Sequence, residues 1–421
     1  MILLLILFLL GTNFFGFLPS IEGIIISKVG TLNLGHVILI FGFIISLIHW
    51  KPQRINIKDP LFSILLILLL IIFFQSLRGI FEGVGVKIII REFKRIYMFF
   101  YIIPLIMIIK NKSQLQKFID ILLFFGFINS LVMIFQFITG TALVYSNVTV
   151  SSSGLYRIYH CNAFFVAMCL FVAISYSINI KGQKEFLKKI FIPFYIIGIL
   201  TTFHRSLIIG CMIGIIFIVS INYLKKRKIK FKYIVFILII IISSFFFLTK
   251  IGIGKAINLR MSSGIEDMKY FEGTFSQRLL LLGFKFETII TESPLLGIGF
   301  RYNPDLSADR YDPYALSADE SYGNIFVFSG FIGLIVLIIW YYLIIKISLK
   351  MYNNSYYIYD RAIYLGIFSF PILYFIMGFF SRIFFFTPNL TILITATAIL
   401  YLLNYFNKSE NYAIIDETTD K

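Results

Sequence analysis

Two adjacent carboxylates, Asp319 and Glu320, stand in ALSADESYGNIFVFSGFIGLI (315–335), directly ahead of an apolar run that carries Gly330 and Gly333. A carboxylate at the edge of hydrocarbon is costly unless water, a cation or a substrate meets it. It can accept the proton of an attacking hydroxyl, or orient that hydroxyl. It can equally cap the helix that follows, which contributes about 1 kcal/mol. Arginines recur in comparable settings, beside or between apolar runs: Arg78, Arg91, Arg157, Arg205, Arg278, Arg301 and Arg382. One arginine at a span end can simply snorkel to the interface. As a set, these permanently charged planar forks suit phosphate. His160 and Asn162 accompany Arg157 in YRIYHCNAFF, and Tyr322 follows the acidic pair. Together they point to a membrane-level site for a large anionic, lipid-anchored substrate. A diphosphate on a lipid carrier meets that description, because its tail needs apolar walls and its head needs cations.

The elements that must position these residues are apolar. Of 421 residues, 59% are hydrophobic and only 14% charged, against roughly a quarter charged in soluble domains. Apolar runs near 20 residues recur along the chain, each long enough to cross about 30 Å of hydrocarbon. The chain therefore reads as an all-α polytopic membrane protein of about twelve transmembrane helices. The expected spans are 2–18, 33–49, 61–77, 96–109, 118–138, 159–180, 190–203, 206–223, 233–249, 322–345, 362–380 and 384–406. The fourth and seventh are short for a bilayer. Met1 leads into ILLLILFLL with no basic region and no A-x-A site, so this stretch reads as a first span and not a cleaved signal peptide.

The net charge of +17 is accounted for by short basic loops on one side, such as KKRKIKFK at 225–232, as the positive-inside rule requires. That side is expected to be cytoplasmic and to hold both termini, with 407–421 as a loose tail behind a single membrane domain at 1–406. Nucleic acid is not an expected partner. The opposite loops at 19–32 and 139–157 are nearly uncharged, whereas 78–95 carries Arg78, Lys87, Arg91, Lys94 and Arg95. A large external loop at 250–321 holds ten of the 21 acids. Loops this long tend to carry function. Within it, SQRLLLLGFKFETII (276–290) has the length and partial amphipathicity of a helix at the outer membrane surface. Cys161, Cys169 and Cys211 lie in apolar runs, so neither a disulfide framework nor a zinc site is expected. No phosphate-binding glycine loop or dinucleotide fingerprint is present.

Three short motifs carry a resemblance. HRSLIIG (204–210) is similar to a family turn built around an arginine, with Arg205 on that position and Ser206 where glycine stands. SQRLLLLGFKFETIITESPLLGIGF (276–300) resembles an R…P-L-x-G-x-G segment, matched by Arg278, Pro294, Gly297 and Gly299. YRIYHCNAFF retains Asn162, with Cys161 where proline often stands. In order and spacing, over roughly residues 60–400, the chain resembles the O-antigen polymerase and O-antigen ligase superfamily of Wzy-like membrane glycosyltransferases, of GT-C type. Ligases carry His-Asn ahead of a spaced G-x-x-G. Counting back from Gly330 and Gly333, those positions are Asp319 and Glu320 here, and the loop contains no histidine. The Asp319-x-x-Tyr322 pattern is similar to the polymerases.

The resemblance implies a metal-independent glycosyltransferase that needs no cofactor. It would transfer a glycan from a polyprenyl diphosphate to a hydroxyl of a second lipid-linked repeat unit, on the outer face of a bacterial cytoplasmic membrane. Asp319, Arg205 and Arg278 take the catalytic roles in this reading. Arg157, His160, Asn162, Arg78, Arg91, Arg301, Glu320, Tyr322 and Arg382 are its substrate-binding candidates. Lipid-linked donor and acceptor, membrane lipid, and chain-length regulator and flippase proteins are the partners it implies. The alternatives are a ligase-type transferase of a finished glycan, a flippase of lipid-linked oligosaccharides, and a non-enzymatic assembly partner in the envelope. A flippase calls for charges at span centres along a two-faced path, and the charges here cluster at outer ends.

Overall fold

The computed structural model describes residues 54–84, 97–140, 148–150, 156–158, 162–180, 186–224, 274–299, 321–379 and 387–419, together with positions 3, 42–48, 86 and 89. The order of elements is α1 (Pro60–Phe81), a 3-10 turn (Tyr97–Tyr101), α2 (Ile102–Ile108), α3 (Lys112–Thr139), β1 (Val148–Val150), β2 (Tyr156–Ile158), α4 (Ala163–Asn179), α5 (Phe186–Thr201), α6 (Arg205–Leu224), α7 (Thr274–Glu292), α8 (Ser321–Asn354), α9 (Ile358–Met377) and α10 (Thr387–Thr419). Six helices among the described residues are long and apolar enough to cross a membrane, in α1, α3, α6, α8, α9 and α10; α4 is apolar but shorter. This defines a polytopic helical membrane protein. Most of the expected spans at 2–18 and 33–49, and all of 233–249, lie outside the described residues.

Local chemistry explains the boundaries. Asp59 caps α1 by accepting from the Leu61 N–H, with Pro60 at the first helical position. Asn111 caps α3 by accepting from the Gln114 N–H, and Gly140 ends it in the left-handed conformation at φ 66°. Hydroxyls buried in α10 bond within their own helix, Thr395 to the Thr391 carbonyl and Thr397 to that of Leu393. Those two hydroxyls are thereby satisfied without water. Asn389–Lys408 of α10 is almost wholly buried, α9 largely so, whereas α1 and α6 turn most of their apolar surface outward. α4, α9 and α10 thus form the centre of the bundle. Close approach there needs small residues: a Cβ on Gly366 of α9 would stand 2.7 Å from the Val172 Cα of α4.

One expected span needs correction, and one short element accompanies the helices: β1 and β2 pair antiparallel with Thr149 opposite Arg157. Alternating β-branched and aromatic residues there favour a pleated surface. Arg157 therefore lies on β2, a few residues ahead of α4. The expected span at 96–109 is a 3-10 turn plus seven helical residues, too short to cross about 30 Å at 1.5 Å per residue. α10 continues through Thr419, into the segment expected as a tail.

Side-chain contacts gather the loops at two ends. At one end the Lys112 ammonium sits 2.7 Å from the fully buried Asp360 carboxylate and donates to Asn407 at 2.8 Å. Lys188 pairs with Asp120 at 2.8 Å, and Arg54 donates to the carbonyls of Ile109 and Lys110. These are the basic loops that the charge bias groups together. At the other end the α1 C-terminus meets the segment after α7, and the start of α8 meets the end of α9.

Candidate functional site

The second end is organised by a break in α8. Gly330 has φ 61° and ψ −156°, so the i→i−4 ladder stops there. The strip Ser293–Gly299, which follows α7, lies along the break. It accepts from the Phe331 N–H at the Pro294 carbonyl (2.9 Å) and from the Ile332 N–H at the Leu295 carbonyl (3.3 Å). It donates from Ile298 to the Val327 carbonyl (2.8 Å) and from Gly299 to the Phe328 carbonyl (3.1 Å). Both half-helices are thereby satisfied across the interruption, as a low-dielectric setting demands. The P-L-x-G-x-G pattern follows from this contact. A Cβ on Gly297, at φ 66°, would stand 2.6 Å from the Gly330 nitrogen; one on Gly330 would stand 2.5 Å from the Leu295 carbonyl carbon.

α1 holds the strip from the other side. The Arg78 guanidinium donates from Nη1 to the Gly297 carbonyl at 2.6 Å and from Nε to Glu82 at 2.7 Å. Gln75, buried one turn away, donates to the Leu296 carbonyl. α7 is joined to α8 by Lys285, which is fully buried and donates from Nζ to Asn324 Oδ1 at 2.7 Å. Beside that bond Phe286 stacks on Phe326 with centroids 4.2 Å apart. The start of α8 is fixed to α9: the Ser321 N–H donates to the Gly378 carbonyl, and the Tyr322 hydroxyl donates to that of Phe375, each at 2.8 Å. The chain thus leaves the described structure at Gly299 and re-enters at Ser321 with both points anchored at one end of the bundle.

Two further candidates are positioned by neighbouring helices. Asn162, buried ahead of α4, donates to Asn129 of α3 at 3.1 Å. Arg205 is the first residue of α6. It follows a turn in which Phe203 takes φ 49° and its ring meets Phe137 of α3 at 5.7 Å. In the same turn Ser206 and His204 Nδ1 lie 3.1 Å apart.

Of the sequence-derived candidates, Arg78, Asn162 and Tyr322 have contacts that define their settings. Each bonds to the protein framework: Arg78 braces the strip, Asn162 links α4 to α3, and Tyr322 links α8 to α9. Arg157, Arg205 and Arg278 are placed by backbone alone, on β2, α6 and α7. Asp319, Glu320, His160, Arg91, Arg301 and Arg382 lie outside the described residues. Sequence reasoning missed Lys285, Asn324 and Gln75. The available signal was periodic: position 285 is seven residues, or two turns, beyond 278 and so on the same face of α7.

An apolar bundle with six helices long enough to cross a bilayer belongs to a polytopic membrane protein. Residues 190–338, from α5 to the middle of α8, match the family model described as O-antigen ligase. Over that stretch the chain is similar to the O-antigen ligase family, in line with the resemblance that its motifs carry. No curated protein matches the chain.

Proposed function

We propose that this protein is a polysaccharide polymerase of the outer face of the cytoplasmic membrane. It transfers a glycan from a polyprenyl diphosphate to a hydroxyl of another lipid-linked repeat unit. The observation that carries this reading is the junction of the α1 end, the P-L-x-G-x-G strip and the start of α8 at one end of the bundle. It brackets the segment that bears Asp319 and Glu320, and its strip and the start of α8 fall within residues 190–338, which the O-antigen ligase model matches. Arg78 already serves this junction, so it braces the site, while Arg205 and Arg278 face the diphosphate. The leaving diphosphate is weakly basic and needs its growing charge stabilised more than it needs a proton. Fixed guanidinium groups in a partly dry site supply that. Asp319 accepts the proton of the acceptor hydroxyl or orients it. Polymerisation is favoured over ligation by Asp319-x-x-Tyr322 and by the lack of a loop histidine.

The test is complementation of a strain lacking this gene, read as a glycan ladder on a gel. Arg205→Ala, Arg278→Ala and Asp319→Ala are each expected to reduce long chains to single repeats. Arg205→Lys is expected to fail as well, because an ammonium cannot reproduce the two-pronged grip. Normal ladders from all three alanine variants at wild-type protein levels would remove the reading.

A further inference from the structure

The buried Lys285–Asn324 contact has no role in the chemistry described above. An ammonium taken out of water is costly even when bonded, and an apolar pair of similar volume would pack α7 against α8 without that cost. The adjacent Phe286–Phe326 stack already supplies apolar adhesion. Stacked rings tolerate sliding along the helix axis, whereas a 2.7 Å charge-assisted bond has one register.

That register bears on Arg278. From Lys285 to Pro294 the α7 side advances alongside α8, whose partners advance from Asn324 through Phe326 to Phe331. The two helices therefore run in the same direction here. Position 278 lies about 10 Å back along α7 from Lys285, and Ser321 about 4.5 Å back along α8 from Asn324. Position 278 thus extends about 6 Å past Ser321, the first residue of α8. It shares the face of α7 that Lys285 turns to α8.

We propose that Lys285 is a positioning residue for glycan transfer: its bond to Asn324 sets the axial register of α7 on α8 and so the place of Arg278 relative to the start of α8 at Ser321. This rests on the proposed function. A slip of about 1 Å in such a site can cost on the order of a hundredfold in rate.

The experiment uses the full-length chain in the complemented strain, with melting temperature measured on the detergent-purified protein. Lys285→Met and Asn324→Leu each remove this bond and are expected to lower the melting temperature. The double variant fills both places with apolar groups and is expected to regain most of the loss. If Lys285 positions, the regained stability does not restore the ladder, and long chains stay about tenfold or more below wild type. Asn324→Asp keeps an acceptor for the ammonium and is expected to retain the ladder. A third readout does not use activity: a short bifunctional thiol reagent should bridge Arg278→Cys and Ser321→Cys less efficiently in the Lys285→Met background. A double variant with wild-type stability and a wild-type ladder would reduce the pair to packing and overturn the proposal. So would a stable Asn324→Asp protein without a ladder, or bridging unaffected by Lys285→Met. Arg278→Ala and Asp319→Ala run alongside separate the two ideas. If they leave the ladder intact, the catalytic reading fails; if they abolish it while the double variant does not, only the positioning role fails.

Discussion

At the residue scale, Arg78 shows how one guanidinium can be read in two ways. From the sequence it is an anion-binding candidate on an outer loop that defies the inside bias. In the fold its Nη1 and Nε are committed to the Gly297 carbonyl and Glu82. A charged donor to a carbonyl contributes about 1.5–3 kcal/mol. Half-exposure of the Glu82 pair leaves that ion pair with little of its own. Arg78→Ala is therefore expected to lower the thermal stability of the purified protein and to shorten the glycan ladder through the strip. Arg78→Lys is expected to recover most of the stability, since one point donor reaches one carbonyl. Lys285 is the opposite case. Its run, LLLLGFKFETII, reads as a surface helix with a snorkelling cation, and only tertiary packing turns that cation inward. Asp319 and Arg205 are as legible in the sequence as Arg78, but type and spacing do not decide which charges face substrate and which face the framework.

At the element scale, hydropathy located the described helices because apolar length is what a bilayer selects. The runs at 61–77, 118–138, 206–223 and 322–345 lie within helices, and most of 362–380 falls in α9, which ends at Met377. Interruptions were the part that hydropathy could not carry. Gly330 and Gly333 read as a spaced pair marking a subtype, whereas Gly330 is where the helix stops and the strip takes over its hydrogen bonds. Such a contact joins residues far apart in sequence, and no local period encodes it. Gly330→Ala and Gly297→Ala are expected to be among the most damaging single-methyl changes in the chain. Each adds a Cβ within 2.6 Å of backbone and demands a positive φ as well, so the loss is a few kcal/mol or more. The measurement is the fraction of monodisperse protein after detergent extraction. Alanine at Gly283, with open space around its Cβ site, is the control and should extract normally.

At the scale of the whole molecule, charge bias and tertiary contacts sort the loops alike. The residues that the bias assigns to the cytosol meet one another: Arg54 with 109–110, Lys112 with Asp360 and Asn407, and Lys188 with Asp120. We therefore expect a membrane-impermeant thiol reagent to label Glu292→Cys and to miss Asn353→Cys in intact cells. The reverse pattern would invert the protein and put the proposed site in the wrong compartment. The Lys112–Asp360 pair also tests how that end is held. Lys112→Met leaves a buried carboxylate unpaired and should cost about 3–5 kcal/mol. Melting temperature reads that loss, which the Lys112→Met/Asp360→Leu double variant should largely reverse.

The sealed interruption in α8 also has a consequence for biogenesis. The strip that caps both halves of the helix precedes it in the chain, so the ribosome delivers the cap before the gap that needs it. Open carbonyls and amides at the gap can find partners as soon as the helix emerges, without waiting for later segments to insert. Transplanting the strip downstream of α8 would reverse that sequence of events and leave the gap bare during translation.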